Sequence, residues 1–219
     1  MVERPNSRKR RETSGQSESI SLEDVQLVAE VQDGHTEAYG RLVERYQDRI
    51  FNACWRIVGN LEDARDLTQD AFLKAFEGLE GFRGESGFYT WIFRVAVNLA
   101  LSHRRSSRIR RTISLDQAGG AEGTQAETLS QRMRDEGHRA PEQVADEVEL
   151  RGKVVQAMQT LDADHRAVLV LRDIEGFDYR RIADILGVAV GTVKSRLFRA
   201  RTAVRDAVTP RVEQGSGRS

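Results

Sequence analysis

Five side chains near the end of the sequence have the chemistry needed to read a polar groove: Thr192, Lys194, Ser195, Phe198 and Arg199. An arginine or lysine can donate to guanine, a hydroxyl can donate or accept, and a ring can touch a thymine methyl. Their spacing places them on one helix. Val190, Val193, Leu197, Ala200 and Val204 recur at steps of three and four and form an apolar stripe. At about 100° per residue, Thr192, Ser195 and Arg199 point away from that stripe, with Lys194 and Phe198 on its flank. Upstream, Asp178 suits the N-cap of a shorter helix carrying Ile182, Ile185 and Leu186, and Gly187 suits its left-handed C-cap. Two short helices joined by a tight turn, with polar groups on the outer face of the second, have the geometry that enters a DNA major groove. An amphipathic hairpin packed on a protein partner would show the same stripe, but the tight turn at Gly187 favours DNA. Arg201 and Arg205 lie closer to the side of the helix and serve either as backbone contacts or as a solvated basic face.

A second constellation lies in residues 82 to 108. Phe82, Phe88, Tyr89 and Trp91 are interleaved with Gly84, Gly87, Arg83 and Arg94. Rings give stacking platforms for unstacked bases, glycines give an adaptable backbone, and cations neutralise phosphate. The competing reading is that Phe88, Trp91 and Val95 anchor the next helix, and for Trp91 and Phe93 both readings stand. Arg104, Arg105 and Arg108 suit phosphate, since an arginine cluster adds affinity without adding sequence preference. The formal net charge is zero, which argues against a nucleic-acid binder until the distribution is considered. Arg104, Arg105, Arg108, Arg110 and Arg111 crowd one stretch, while residues 116 to 149 lean acidic. Segregated charge presents a basic surface on a neutral chain.

The elements that must position these groups are all helical in pattern. Ser21, with Asp24 three residues on, predicts a capped first helix ending near Gly34. Tyr39, Leu42, Val43, Tyr46, Ile50, Ala53, Cys54 and Ile57 keep one apolar face as far as Gly59. Asn60 then caps a third helix with Ala64, Leu67, Ala71, Phe72, Ala75 and Phe76 inside. Its early acidic residues Glu62, Asp63, Asp66 and Asp70 complement the helix dipole. The glycine-rich segment 78 to 90 permits turns, and a helix resumes at about Thr90 and runs into the arginine cluster. With no strand-like alternation and no repeat, the expected fold is all-α, two small helical domains joined by a flexible linker. The expected boundaries are a polar tail at 1–20, a first domain at 21–111, a linker at 112–140, a second domain at 141–208 and a short tail at 209–219.

Composition excludes several classes. No apolar run approaches the roughly 18 residues of a membrane span, so no membrane insertion is expected. Arg8, Lys9, Arg10 and Arg11 are followed by polar residues and not by a secretory apolar region, which leaves the cytoplasm as the expected compartment. Cys54 is the only cysteine, so no intrachain disulfide and no thiolate zinc cluster can form; its place on an apolar stripe marks a core filler. His35, His103, His138 and His165 are scattered, with no HExxH and no glycine-rich phosphate loop. No catalytic residue, metal or cofactor is expected.

The chain resembles bacterial RNA polymerase sigma factors of the extracytoplasmic-function type, in the sigma-70 family, and is similar to the envelope-stress members. The resemblance rests on DARDLTQDAFLKAF (63 to 76), FRGESGFYTWIFRVAVN (82 to 98) and GVAVGTVKSRLFRAR (187 to 201), in that order and separated by a linker. It implies an alternative sigma factor, a non-catalytic subunit that binds core polymerase, recognises minus-ten and minus-thirty-five promoter elements and helps to melt DNA. Asp63, Asp66, Leu67, Gln69, Asp70 and Phe72 would meet the polymerase, whose beta-prime clamp and beta subunit are the implied partners. Phe82 and Asn98 would help to form the pocket for a flipped minus-ten base, among Arg83, Phe88, Trp91, Arg94, Arg104, Arg105 and Arg108. Thr192, Lys194, Ser195, Phe198, Arg199 and Arg201 would face the minus-thirty-five element. An anti-sigma protein is a further partner implied by the resemblance alone.

Four positions depart from the family pattern. Arg180 and Arg181 stand where acidic residues are usual, which adds phosphate contacts or alters protein contacts. Asp162 replaces a common proline after Leu161 and can still cap the helix that follows. Ala189 occupies a frequent capping-serine position, at a cost of about 1 kcal/mol. A repressor with one helix-turn-helix would leave residues 63 to 98 unexplained, and a purely protein-binding scaffold is told apart by whether the basic faces bind DNA at all.

Overall fold

The computed structural model describes residues 21–115 and 152–209 of the 219-residue chain. The expected tail at 1–20, the linker from 116 onward, the start of the second domain and the tail after 209 lie outside the described residues. Every regular element among the described residues is helical. The first unit consists of α1 (Leu22–Gln32), α2 (Glu37–Val58), α3 (Leu61–Gly78) and α4 (Phe88–Leu115). The second has a helical segment α5 (152–160), α6 (Ala163–Leu169), a π turn (Val170–Ile174), α7 (Tyr179–Leu186) and α8 (Val190–Val208). Residues 112–115, expected in the linker, continue α4.

The caps explain most boundaries. Ser21 Oγ accepts from the Asp24 amide at 3.4 Å, but the Asp24 carboxylate does not return the bond. It turns inward instead, accepting from Tyr46 Oη at 2.5 Å and from Arg45 at 2.6 Å, and so ties α1 to α2. Asn60 Oδ1 accepts from the amides of Glu62 and Asp63 at 2.8 and 3.1 Å and starts α3. Gly59, at φ +80°, ends α2 in the left-handed conformation that favours glycine.

The apolar faces of α2, α3 and α4 meet around Leu42, Ile50, Ile57, Ala64, Ala71, Ile92, Phe93 and Val97, which are buried. Burial of each Leu, Ile, Val or Phe side chain contributes about 1.5–3 kcal/mol, and of each Ala less. Cys54 belongs to this core and is fully buried, and burial pushes its thiol up to about 12, against a smaller opposing effect of the Thr68 hydroxyl. It is a packing residue and an inert one. Phe76, expected inside, is 41% exposed. Phe72 and Ala75 take the inward positions of that turn, and Phe76 falls on the edge against the Tyr39 ring, 5.0 Å away.

The two units dock on each other. α7 lies along α4, and α6 packs on α2 and α4. At the centre of the seam sits Arg166, which is fully buried. Its guanidinium donates across the seam to the Ile57 carbonyl at 2.8 Å and, within its own unit, to Gln159 Oε1, the Gln159 carbonyl and the Leu161 carbonyl at 2.7, 2.7 and 2.9 Å. Gly59 permits the approach: a Cβ there would lie 2.3 Å from Gln159 Oε1. Phe177 closes one end of the seam by stacking on Tyr89, with ring centroids 5.1 Å apart, and meeting Phe93 edge-on.

Candidate nucleic-acid interface

The hairpin formed by α7 and α8 follows the sequence closely. Asp178 Oδ1 accepts from the Arg181 amide at 2.9 Å and starts α7, and Gly187, at φ +64°, ends it. Val193, Leu197 and Ala200 are buried, with Val190 and Val204 packed at the margin of the same core. On the other side Lys194, Ser195, Phe198 and Arg199 are exposed, and Thr192 is half-buried. Phe198 is 72% exposed, a large apolar area left uncovered among the described residues. An exposed ring flanked by a lysine, a serine and an arginine combines apolar and hydrogen-bonding contact on one helical face.

Several neighbours limit this face. Arg201 pairs with both carboxylate oxygens of Asp173, through Nε at 3.0 Å and through Nη2. The hydrogen bond to Asp173 raises its pKa, and the guanidinium, though exposed, is already paired within the fold. Arg196, which the periodicity did not single out, bonds Asp164 at 2.9 Å and braces α8 on α6. Ala189 is the N-cap of α8 and supplies no side-chain bond. Ala189→Ser is therefore expected to stabilise the chain by about 1 kcal/mol, raising Tm by about 2–4 °C. Calorimetry checks this, and an unchanged Tm would mean that water already satisfies that helix start.

The glycine-rich segment before α4 is tied down by Gln32, whose Nε2 donates to the carbonyls of Leu79 and Phe82 at 2.9 and 3.0 Å. Phe82 is half-buried against Trp91, with ring centroids 4.9 Å apart. Trp91 in turn lies over Gly78, where a Cβ would come within 3.2 Å of the ring. Phe88 corrects the expectation of a base platform: it is 2% exposed and packs between Tyr46 and Trp91. Phe93 is fully buried, while Trp91 keeps part of its ring in solvent. The two aromatic readings thus divide by residue. Helix periodicity turns Phe88, Tyr89 and Phe93 inward, and of the rings Phe82, Phe88, Tyr89 and Trp91 only Phe82 and Trp91 keep surface, beside the exposed Arg83.

Along α4, Arg94, Asn98, Arg105 and Arg108 follow one another toward the arginine-rich end. Arg94 and Asn98 line a groove of about 590 Å³ at the seam with Ala183, Asp184, Ile185, Leu186, Gly187 and Val188. Asn98 donates to the Ile185 carbonyl at 3.4 Å, and Arg104 donates to the Val58 carbonyl at 3.3 Å. Arg105 lies 3.8 Å from Asp164, and Arg108 lies 3.9 Å from Asp162. Asp162 occupies the N-cap of α6 but makes no side-chain capping bond, so the expected cap is absent. Its carboxylate is spent on Arg108 and on His165, 3.9 Å away.

On α3, Asp66, Gln69 and Asp70 are exposed and Asp63 is half-buried, 3.7 Å from His103. Leu67 and Phe72 are 6% and 7% exposed and belong to the core, which corrects their expected role as contact residues. The apolar surface that α3 does present comes from Leu73, 54% exposed, and Phe76. With Tyr39, Val43, Phe51, Arg65 and Gln69 they line an open groove of about 670 Å³ between α2 and α3. Leu73 was not singled out by the sequence, although its step of four from Gln69 would have placed it on that face.

Comparison with known proteins now has a geometry to refer to. Residues 42–110 match the family model of sigma-70 region 2, and residues 151–204 match that of sigma-70 region 4. The chain is 38% identical over 188 residues to the RNA polymerase sigma-H factor of Pseudomonas aeruginosa, covering 86% of this chain and 95% of that protein. It is 37% identical over 196 residues to the ECF RNA polymerase sigma-E factor of Escherichia coli K12, covering 90% of this chain and 100% of that protein. The fold is similar to that of CnrH solved with the cytosolic domain of CnrY, at a TM-score of 0.56 and 24% identity over 84% of this chain and 96% of that one. It is likewise similar to the sigma factor RpoE of Bartonella quintana solved with the anti-sigma factor NepR, at a TM-score of 0.57 and 23% identity over 78% and 96%.

The chain belongs to the extracytoplasmic-function sigma factors of the sigma-70 family. Its function is that of an alternative sigma factor, which directs promoter-specific transcription initiation by RNA polymerase.

Proposed function

We propose that three surfaces divide the work of initiation. The outer face of α8, with Lys194, Ser195, Phe198 and Arg199, reads the minus-thirty-five duplex, while Thr192 and Arg201 border it. The exposed edge of α4 and its preceding loop hold the minus-ten strand: Asn98, Phe82 and Trp91 meet bases, and Arg83, Arg94, Arg104, Arg105 and Arg108 meet phosphate. The rim Asp63, Asp66, Gln69 and Asp70 orients the polymerase clamp, and the Leu73–Phe76 groove supplies apolar contact area. Charged rims set encounter and register more than raw affinity. The observation that carries this reading is Phe198, 72% exposed beside a lysine, a serine and an arginine on a helix whose opposite side is buried.

In this scheme the chain carries no catalytic group, polymerase performs nucleotidyl transfer, and the site of action is the cytoplasm. The relative from Bartonella quintana, solved with an anti-sigma factor, supports an anti-sigma protein as a further partner. The units that do this work are residues 21–111 and 141–208.

The test separates readers from holders in the assembled holoenzyme. Arg105→Ala is expected to weaken promoter binding on all sequences alike and to lower the slope of log affinity against log salt by about 1. Titrations from low to physiological salt measure this. A loss confined to particular minus-ten sequences, with the slope unchanged, would make Arg105 a base reader and overturn its assignment to phosphate.

A further inference from the structure

The start of α7 carries two arginines, Arg180 and Arg181, that the three surfaces above do not use. We propose that Arg180, with Arg181 beside it, holds a backbone phosphate at the edge of the minus-thirty-five groove, so that α7 grips the duplex that α8 reads. The inference rests on the assignment of α8 to the minus-thirty-five duplex made above.

Helix geometry turns the pair away from the core. Ile182, Ala183 and Ile185 are buried, and at about 100° per residue Arg180 falls on the opposite side, where it is exposed; Arg181 lies half-buried on the flank. The fold gains little from these two charges. Both sit in the first turn of α7, which holds no acidic residue, and a cation there opposes a helix dipole that favours anions at that end. Asp178 compensates one of them in part: its Oδ1 caps the Arg181 amide at 2.9 Å, and its Oδ2 lies 3.8 Å from Arg181 Nε. Arg180 makes no hydrogen bond or ion pair among the described residues, and Asp184, one turn on, is exposed as well. Cations that work against their own helix and stay open to solvent break a local rule, as groups placed for a ligand do.

Their position says which ligand. Tyr179, the residue before Arg180, is half-buried, with the Arg172 guanidinium 5.0 Å and the Lys194 ammonium 6.0 Å from its ring centroid. Arg172 is fixed there by donating to the Phe177 carbonyl at 2.9 Å. Lys194 belongs to the outer face of α8, so one ring joins the start of α7 to the reading face. Arg172, Arg180, Arg181 and Lys194 outweigh Asp178 and Asp184, and the positive strip is continuous with the face that enters the groove. In a docked helix-turn-helix the first helix crosses the sugar-phosphate backbone while the second lies in the groove. The anion met at that place is a phosphodiester, whose two free oxygens match a guanidinium fork. Such a contact holds the duplex without reading it.

The test uses holoenzyme assembled from core polymerase and the full chain, as wild type, R180Q/R181Q and R180K/R181K. The probes are a duplex that wild-type holoenzyme selects from a randomised minus-thirty-five library and unselected members of that library. R180Q/R181Q is expected to bind all of them about tenfold more weakly at low salt, with the slope of log affinity against log salt lowered by about 1 to 2. R180K/R181K keeps both charges and should recover the slope and most of the affinity. Neutral methylphosphonate linkages, placed one at a time across the selected duplex, locate the contact: at one position the change should weaken wild type and leave R180Q/R181Q unaffected. Should the double glutamine variant melt below wild type, R180Q alone serves, with a slope change of about 1.

Unchanged affinity and slope would overturn the inference, and weaker binding of that variant to core polymerase would then show that the pair meets protein and not DNA. A changed base preference would make the pair a reader and overturn it too, as would a loss that no single phosphate accounts for. Arg199→Ala separates the two levels. If it shifts minus-thirty-five preference while R180Q/R181Q changes nothing, the α7 contact fails alone; if Lys194→Ala, Phe198→Ala and Arg199→Ala all leave preference unchanged, the assignment of α8 fails and the inference with it.

Discussion

Arg166→Ala is expected to lower the stability of the chain by about 3–5 kcal/mol, from the loss of charge-assisted hydrogen bonds and the cavity left behind. The side chain is fully buried, and its removal strands four acceptors: the carbonyls of Ile57, Gln159 and Leu161, and Gln159 Oε1. Each buried acceptor left without a donor adds a desolvation penalty, and the vacated volume adds a cavity cost. Arg166→Lys is expected to recover only part of the loss, because an ammonium lacks the planar fork that reaches four acceptors at once. Burial and, to a smaller extent, the Arg104 guanidinium lower the Arg166 pKa to about 10, against the pull of Asp162. A cation with a depressed folded pKa is protonated in both folded and unfolded chains below that value. The loss is thus expected to be the same at pH 6 and pH 8. Denaturant titration measures it as a lowered midpoint at unchanged slope. A loss under about 1 kcal/mol would mean that water substitutes for the guanidinium, in which case Arg166 does not hold the seam.

Arg199→Ala is expected to change what the chain reads and not how firmly it holds. A side chain that contacts a base edge discriminates by about 1–3 kcal/mol, roughly 5- to 150-fold, at one promoter position. Arg199 is exposed on the outer face of α8 and spaced one residue from Phe198. The variant holoenzyme should therefore lose preference at one or two minus-thirty-five positions and keep it elsewhere. Selection from a randomised minus-thirty-five library checks this. A uniform loss across all sequences, with a shallower salt dependence, would place Arg199 on phosphate and leave the base reading to Lys194 and Phe198.

The hairpin could be read from sequence because everything that fixes it is local. Asp178 caps, Gly187 turns the chain, and the stripe from Val190 to Val204 is written in steps of three and four. The Asn60 cap and the burial of Cys54 were legible for the same reason. Periodicity failed where a residue sits at the edge of a stripe, since the width of the facing helix decides its fate. Phe76 falls outside and Phe88 inside on that account.

The seam was not legible at all. Arg166 meets Ile57 across 109 residues and Tyr89 meets Glu175 across 86, and no local pattern encodes either pairing. Glu175 and Phe177 belong to no stripe or motif in the sequence, and Asp162 reads there as a cap. Their partners belong to the other unit. Among the expected polymerase contacts, Asp66, Gln69 and Asp70 lie at the surface as their polarity suggests. Leu67 and Phe72 do not, because an apolar residue on a helix is claimed first by the core.

The most direct measurement is run-off transcription by core polymerase on a promoter library, with and without the purified chain. The expected result is a set of start sites that appear only when the chain is added and that share a minus-ten and a minus-thirty-five element at fixed spacing. Substitution of Lys194, Phe198 or Arg199 should redistribute those sites. No chain-dependent start site, together with tight binding of the free chain to duplex DNA, would contradict the assignment to initiation and favour a DNA-binding repressor that acts without polymerase.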